Sequence, residues 1–233
     1  MANFYSLKMI RSLIFSRVLF FVFFNSSAQN ALRDDLNGVY YDPTLYMQQY
    51  EVEDGSPYLA EEFKPAKIGS REKTYLVRLN AHKGNIEVWI KDNQVIVLND
   101  SEKSKLVLLD GSKKEYVIRK FKTPNGENVT GFLEILKSTD GYTFYKREII
   151  NFYERTKAEG YKAAKPARFI KGSPQFYLST ATNTQPIYLP GNKKKFLTVF
   201  GPKTASKAKA VIKEKRLSVS KEQDIIQLLN AIY

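Results

Sequence analysis

The chemistry open to this chain is narrow, because it has one histidine, His82, and no cysteine. Without cysteine there is no thiol nucleophile, no thiolate metal ligand, no disulfide and no lipid-anchor cysteine of the bacterial lipoprotein kind. A single histidine leaves no three-histidine metal site and confines imidazole acid/base chemistry to His82. The sequence places that residue in a hairpin turn, where a lone histidine is expected in solvent rather than in a serine triad. Paired carboxylates are the remaining catalytic option. Asp34, Asp35, Glu51, Glu53, Asp54, Glu61 and Glu62 gather ahead of the first clear strand, and a carboxylate-dependent hydrolase needs two such groups at a defined separation. Their spacing fits no calcium loop, and the chain contains no GxGxxG, GxxxxGK[ST] or HExxH pattern. The expectation is a protein without catalytic residues, metal or cofactor.

Destination is written at the start of the chain. Lys8, Arg11 and Arg17 precede the apolar run 18–24, and small residues at Ser26 and Ala28 follow. This is the pattern of a secretory leader over 1–28, cut after Ala28. Seven apolar residues are far short of the roughly 20 that span a bilayer. The expected product is exported, periplasmic or associated with the outer membrane, not a lipoprotein, and has no transmembrane span.

Charge then separates the exported chain into two parts. The formal charge of +13 comes from 37 Lys and Arg against 24 Asp and Glu; without the three cations of the leader it is +10. Residues 29–150 carry 18 basic and 19 acidic side chains, whereas 151–233 carry 16 and 5. The excess therefore lies in the last third, where Lys193, Lys194, Lys195, Lys203, Lys207, Lys209, Lys213 and Arg216 are the candidate contacts for an anionic partner. Export turns the expectation from nucleic acid toward anionic lipid, lipopolysaccharide or an acidic envelope protein. The plainer account is a solvated lysine face that keeps the protein soluble.

These side chains must be carried by elements, and hydrophobic period identifies them. Residues 29–69 hold tyrosines, prolines and acids with little periodicity and read as an extended lead-in. From Tyr75 the pattern alternates: Tyr75, Val77 and Leu79, then Ile86, Val88 and Ile90, face one side, with Arg78, Asn80, Glu87, Trp89 and Lys91 outward. Lys83-Gly84-Asn85 is the turn between them. Apolar runs at 95–98 and 106–109 read as buried strands. Asp110-Gly111, Asn125-Gly126 and Asp140-Gly141 are hairpin signals separating strands at 116–121, 129–136 and 142–150. Further strands are expected at 175–179, 187–189 and 196–200. The period then becomes helical, with Ala208, Val211 and Ile212 on one face of a helix over 204–215. Ser220 and Gln223 have capping-box spacing ahead of a last helix whose stripe is Ile225, Ile226, Leu229 and Ile232. The whole reads as a mainly β protein with C-terminal helices: an antiparallel β domain over 70–200 forming a curved sheet or partly open barrel, and a basic helical segment over 201–233 packed on it.

The most distinctive peptide is Gly55-Ser56-Pro57-Tyr58-Leu59. Turn chemistry makes it an aromatic anchor for the lead-in; a partner-docking loop at Gly55, Ser56, Pro57 and Tyr58 is the alternative. Together with Phe63, Ala66, the Arg78-Leu79-Asn80-Ala81 stretch, Ile86-Glu87-Val88, Phe196-Leu197 and the final Asp224, Leu228, Leu229 and Asn230, this peptide resembles a group of exported proteins of the Bacteroidetes lineage. The resemblance implies export and a β-rich fold and brings no activity with it. Function is accordingly expected to be non-enzymatic binding or scaffolding in the cell envelope through the basic last third. A carrier of a hydrophobic ligand in the curved sheet is the second possibility, and a carboxylate-dependent hydrolase the third. The leader makes one direct prediction: intact mass and N-terminal sequencing of secreted material give a chain beginning at Gln29, and a chain that retains Met1 contradicts it.

Overall fold

The computed structural model describes residues 36, 38–91, 94–98, 105–158, 160–161 and 163–233; the leader read over 1–28 lies outside them. Among these residues thirteen strands and four helices follow along the chain: β1 (Gly38–Tyr41), α1 (Pro43–Gln48), β2 (Lys64–Ile68), β3 (Tyr75–Asn80), β4 (Asn85–Lys91), β5 (Gln94–Leu98), β6 (Leu106–Leu108), β7 (Glu115–Lys122), β8 (Asn128–Ser138), β9 (Tyr142–Arg147), β10 (Ile150–Tyr153), β11 (Arg168–Lys171), β12 (Gln175–Thr180), β13 (Ile187–Leu189), α2 (Lys193–Leu197), α3 (Pro202–Lys215) and α4 (Glu222–Ile232). Eleven strands form one sheet in the order β1-β5-β4-β3-β2-β6-β7-β8-β9-β12-β13, and β10 pairs with β11 in a second sheet. Every named pairing is antiparallel. The large sheet is curled, enough to bring β13 close to β7, and the C-terminal helices pack on it. A mainly β, antiparallel, curved fold with C-terminal helices is thus what the sequence forms.

Glycine turns set the hairpins. Gly84, Gly111 and Gly126 have positive φ, as their turns require; Gly141, read in the same way, does not, although β8 and β9 still pair across it. Between them the alternating residues go where period two sends them: Tyr75, Val77, Leu79, Ile86, Val88 and Ile96 are all buried in one aliphatic cluster with Leu106, Ile118 and Phe132. Two departures from sequential order come from the lead-in, which is not merely extended. Its β2 lies between β3 and β6, and its β1 forms the sheet edge against β5.

A second cluster lies under the helices, where Phe144, Phe176 and Leu178 of the sheet meet Phe196, Ile212, Ile225, Leu228 and Leu229. Register places it on the same sheet face as the first: Tyr116 is opposite Glu134, and Glu134 is opposite Lys146, which is in turn opposite Phe176. Between the two clusters runs a row of charges. Lys146 lies 3.4 Å from Glu134, 3.2 Å from Glu222 and 3.7 Å from Glu148; Lys114 reaches Glu134 at 3.2 Å and Lys171 reaches Glu148 at 3.2 Å. Burial alone lowers the pKa of Lys146, but Glu134, Glu222 and Glu148 together outweigh it and hold the ammonium above its ordinary value.

Several expectations are corrected. The segment 196–200 is not a strand: the Asn192 side chain accepts from the backbone N–H of Lys194 and Lys195 at 3.0 and 3.2 Å and starts α2. Phe196 and Phe200, four apart, then both reach the core with ring centroids 5.4 Å from each other, a spacing that suits helical winding and not a strand. The capping box does not form. Lys221 occupies the N-cap of α4 with no side-chain bond, Ser220 pairs with the Ser218 hydroxyl at 2.9 Å, and Asp224 accepts from the Ser218 N–H at 2.8 Å. The buried stripe of α4 is Ile225, Leu228, Leu229 and Ile232, with Ile226 only half-buried.

The largest correction concerns β3 and β4. Asn80 and Glu87, read as outward, are fully buried. The 55–63 segment covers that face, with Tyr58 bridging to Asn80 and Leu59 N–H donating to Leu79 O at 3.0 Å. Glu87 survives there because Arg78 is its direct cross-strand neighbour, 2.7 Å away through Nη2, and because Asn80 donates to its other oxygen at 3.3 Å. The guanidinium is itself stacked over Tyr58 at 3.6 Å and near Phe63 at 4.4 Å. Removing one partner of such a pair strands a buried charge. Arg78→Ala is therefore expected to cost about 3–5 kcal/mol in urea unfolding, and the double change Arg78→Leu with Glu87→Leu markedly less; equal losses for both would show that the charge is not the issue.

Candidate functional site

The eight basic residues singled out in the last third are placed by three local decisions. Asn192 opens α2, so Lys193, Lys194 and Lys195 fill its first turn. Pro202 at the first position of α3 needs no N–H donor there. At the other end Arg216 takes a left-handed conformation, φ 53, and the Leu217 N–H closes the helix on Ile212 O at 3.1 Å. Ala208 and Ile212 are buried and Val211 half-buried against the second core cluster, as the helical period requires.

With that face fixed, the lysines have only solvent to point into. Lys193, Lys194, Lys195, Lys203, Lys207, Lys209, Lys213 and Arg216 are all exposed. Among the described residues none makes an ion pair, and only the Lys207 side chain has a polar contact, Nζ to Ile232 O at 3.4 Å. Five lysines elsewhere behave differently. Lys64, Lys105, Lys114, Lys146 and Lys171 each have a carboxylate within 3.4 Å. On α3 the exposed positions between Lys203 and Lys213 are, besides lysines, the small Ser206 and Ala210, and Glu214 is the one exposed acid of the helix. The arrangement gives an electropositive surface whose apolar side is already spent on the core, suited to contact and not to insertion.

The other sequence candidates are placed differently. Gly55-Ser56-Pro57-Tyr58 is engaged within the fold. Pro57 O accepts from Ala81 N–H at 2.9 Å, Pro57 and Tyr58 are buried, and the adjoining Asp54 accepts from Phe169 N–H at 3.0 Å. Gly55, at φ 75, has no room for a side chain: a Cβ would stand 2.2 Å from Phe169 O. The peptide joins the large sheet to β11, the anchoring role. In the acidic set, Glu53 pairs with Arg155 at 2.8 Å and accepts from Ala167 N–H at 3.2 Å; Asp34 and Asp35 lie outside the described residues. No three acidic or histidine side chains among the described residues are grouped to hold a metal ion. His82 is half-buried instead of free in solvent, its Nδ1 3.1 Å from Ile150 O and its ring packed edge-on to Tyr50 and Phe169.

Two features were not singled out from the sequence. One is a cavity of about 430 Å³ floored by Arg78, Trp89 and Val95 and walled by Tyr58, Phe63 and Met47; the half-exposed Trp89 on an amphipathic strand is the signal that points to it. The other is a crevice of about 190 Å³ bordered by Lys64, Asp110, Lys114, Glu148 and Lys171, for which alternating charges at strand ends are the only trace. Compared with protein-family models, curated proteins and solved structures, the chain has no match in any of the three.

At that crevice the hydrogen bond from Lys64, at 2.6 Å, and the Ser112 hydroxyl bring Asp110 down from an ordinary 3.8 to about 2. The carboxylate thus contributes stability above pH 3.8, and that contribution disappears as pH falls toward 2. Because both side chains reach solvent, the amount is no more than about 1 kcal/mol. Asp110→Asn is expected to leave the unfolding midpoint less dependent on pH between 4 and 2 than in the parent chain; an identical slope removes Asp110 from the acid response.

Proposed function

We propose that the protein is a non-enzymatic component of the cell envelope that attaches to an anionic surface, lipid or lipopolysaccharide, through the basic face of α2 and α3. The observation that carries this reading is the set of eight exposed cations on two consecutive helices with no carboxylate partner among the described residues, whereas Lys64, Lys105, Lys114, Lys146 and Lys171 each have one. Unpaired like charges on one surface repel one another, and a polyanion relieves that repulsion while releasing counterions. The apolar side of α3 is committed to the core through Ala208 and Ile212, so attachment is electrostatic and reversible.

Export of the chain, read from the 1–28 leader, supports an envelope location, and no helix among the described residues is long and apolar enough to cross a membrane. The carrier reading has no observation of equal weight, since the sheet faces are packed with the protein's own side chains, Phe144, Phe176 and Leu178 under the helices and Phe121, Leu133 and Tyr177 on the reverse.

The test is sedimentation of the 29–233 chain with vesicles. Binding is expected to phosphatidylglycerol vesicles and to lipopolysaccharide at low salt, none to neutral phosphatidylcholine, and loss of binding as salt shortens the screening length. Each lysine near an anionic surface is worth about 1 kcal/mol, so changing Lys203, Lys207, Lys209 and Lys213 together to Gln should weaken binding roughly a thousandfold. No binding to either anionic surface, or binding indifferent to salt, ends the proposal.

A further inference from the structure

A cleft of about 340 Å³, sharing no residue with the basic helical face, opens where the β3–β4 turn, the β7–β8 turn and the start of β10 meet; its walls include His82, Glu127, Arg147, Asn151 and Gln175. Arg147 ends β9 and is half-buried. Among the other half-buried cations of the sheet, Lys64, Arg78 and Lys146 have carboxylates at 2.6, 2.7 and 3.2 Å, and Arg119 donates to the Ile118 carbonyl at 2.9 Å. Arg147 makes no ion pair among the described residues. Its guanidinium reaches Gln175 Oε1 only at 3.5 Å, an oxygen already taken by the Tyr177 hydroxyl at 2.9 Å, and lies 5.3 Å from the Phe121 ring. A guanidinium carries five N–H donors in a planar fork that fits two oxygens of one oxyanion; beyond Gln175 and the Tyr177 hydroxyl, which it also hydrogen-bonds, the rest of this fork is unspent.

The neighbouring groups are fixed in advance. Gly84 leaves the guanidinium access to the β3–β4 turn, with Nη2 3.7 Å from where a Cβ would stand. In that turn His82 must donate from Nδ1, since Ile150 O only accepts, and Tyr50 and Phe169 hold the ring at centroid distances of 5.6 and 5.1 Å. The neutral ring therefore offers Nε2 as an acceptor. Arg147 is the one cation and Glu127 the one carboxylate among the lining residues.

We infer that this cleft binds a small polar ligand bearing an oxyanion, a carboxylate or a phosphate, on the fork of Arg147, with a hydroxyl of the ligand donating to His82 Nε2. Preformed position is what makes such a site useful, because neither group has to be ordered on binding. The inference stands apart from the envelope-surface proposal and fails or holds independently of it.

His82 is the single histidine, so imidazole resonances of untagged, histidine-labelled protein report this cleft alone. The protein is titrated with inorganic phosphate and with lactate at constant ionic strength, chloride serving as control. A saturable shift with phosphate alone identifies a phosphate site, with lactate alone a hydroxycarboxylate site, and with both a general oxyanion site. Arg147→Gln is expected to weaken the response by about tenfold or more. Glu127→Gln, at an exposed position, removes the opposing charge and is expected to tighten it roughly threefold, which keeps the test decisive if the Arg147 variant does not fold. No shift with either probe, an equal shift with chloride, or a response unchanged in Glu127→Gln overturns the inference.

Discussion

A carboxylate with no exposure at all, Glu87, sits at the centre of the first half of the sheet, and its neutralisation by Arg78 is the condition on which the surrounding structure is arranged. Burying the acid is tolerable only with a cation at contact distance and further hydrogen bonds, and Arg78 at 2.7 Å and Asn80 at 3.3 Å supply them. The cation in turn needs its own shielding. Tyr58 and Phe63 give it two aromatic faces, and Glu61 O accepts from Nη1 at 3.4 Å. The 55–63 segment is therefore held over β3 and β4 by the same guanidinium that answers Glu87. Through Asp54 and Gly55 that segment continues to β11, and through Ala81 and His82 it meets Tyr50 and Phe169. One ion pair thus links the large sheet, the small sheet and the chain that leads into both.

Much of this architecture was legible in the sequence, and for physical reasons. Period-two alternation fixed Tyr75, Val77, Leu79, Ile86 and Val88 as inward because one face of the strand is apolar and the other is not. The hairpins were legible at Gly84, Gly111 and Gly126 because positive φ selects glycine. The lysines of α3 were placed correctly because Ala208 and Ile212 leave only one way to orient that helix. What misled was treating polar as outward. Glu87 and Asn80 occupy the alternate positions of a strand covered on both faces, and only knowledge of the 55–63 segment lying over them distinguishes a buried ion pair from a solvated one.

The same limit explains the candidate sites. The basic face was legible since it is local: its residues lie on two consecutive helices, and charge counting along the chain finds them. The Arg147 cleft draws on residues from 81 to 175 and becomes visible only when four separated segments converge. At 196–200 the short apolar run alone could not tell strand from helix; the side chain of Asn192, four residues upstream of the first helical hydrophobe, made that decision. Strand β2 posed the opposite problem. Its pattern is weak because Pro65 and two lysines interrupt it, yet its neighbours β3 and β6 supply the ladder that holds it in the middle of the sheet.

The charged row formed by Lys114, Glu134, Lys146, Glu148 and Lys171 bears on cooperativity. It divides two apolar clusters that share one sheet face, so the clusters adhere to a common backbone ladder without packing continuously on each other. Apolar contact is what usually makes a domain melt as a single unit. Here the helical cap and its cluster can loosen while the aliphatic half keeps its packing, as contiguous subunits of stability do in other folds. The row of ion pairs thus forms the border between the two apolar clusters, and the sheet that crosses it, chiefly through β8, is what joins them.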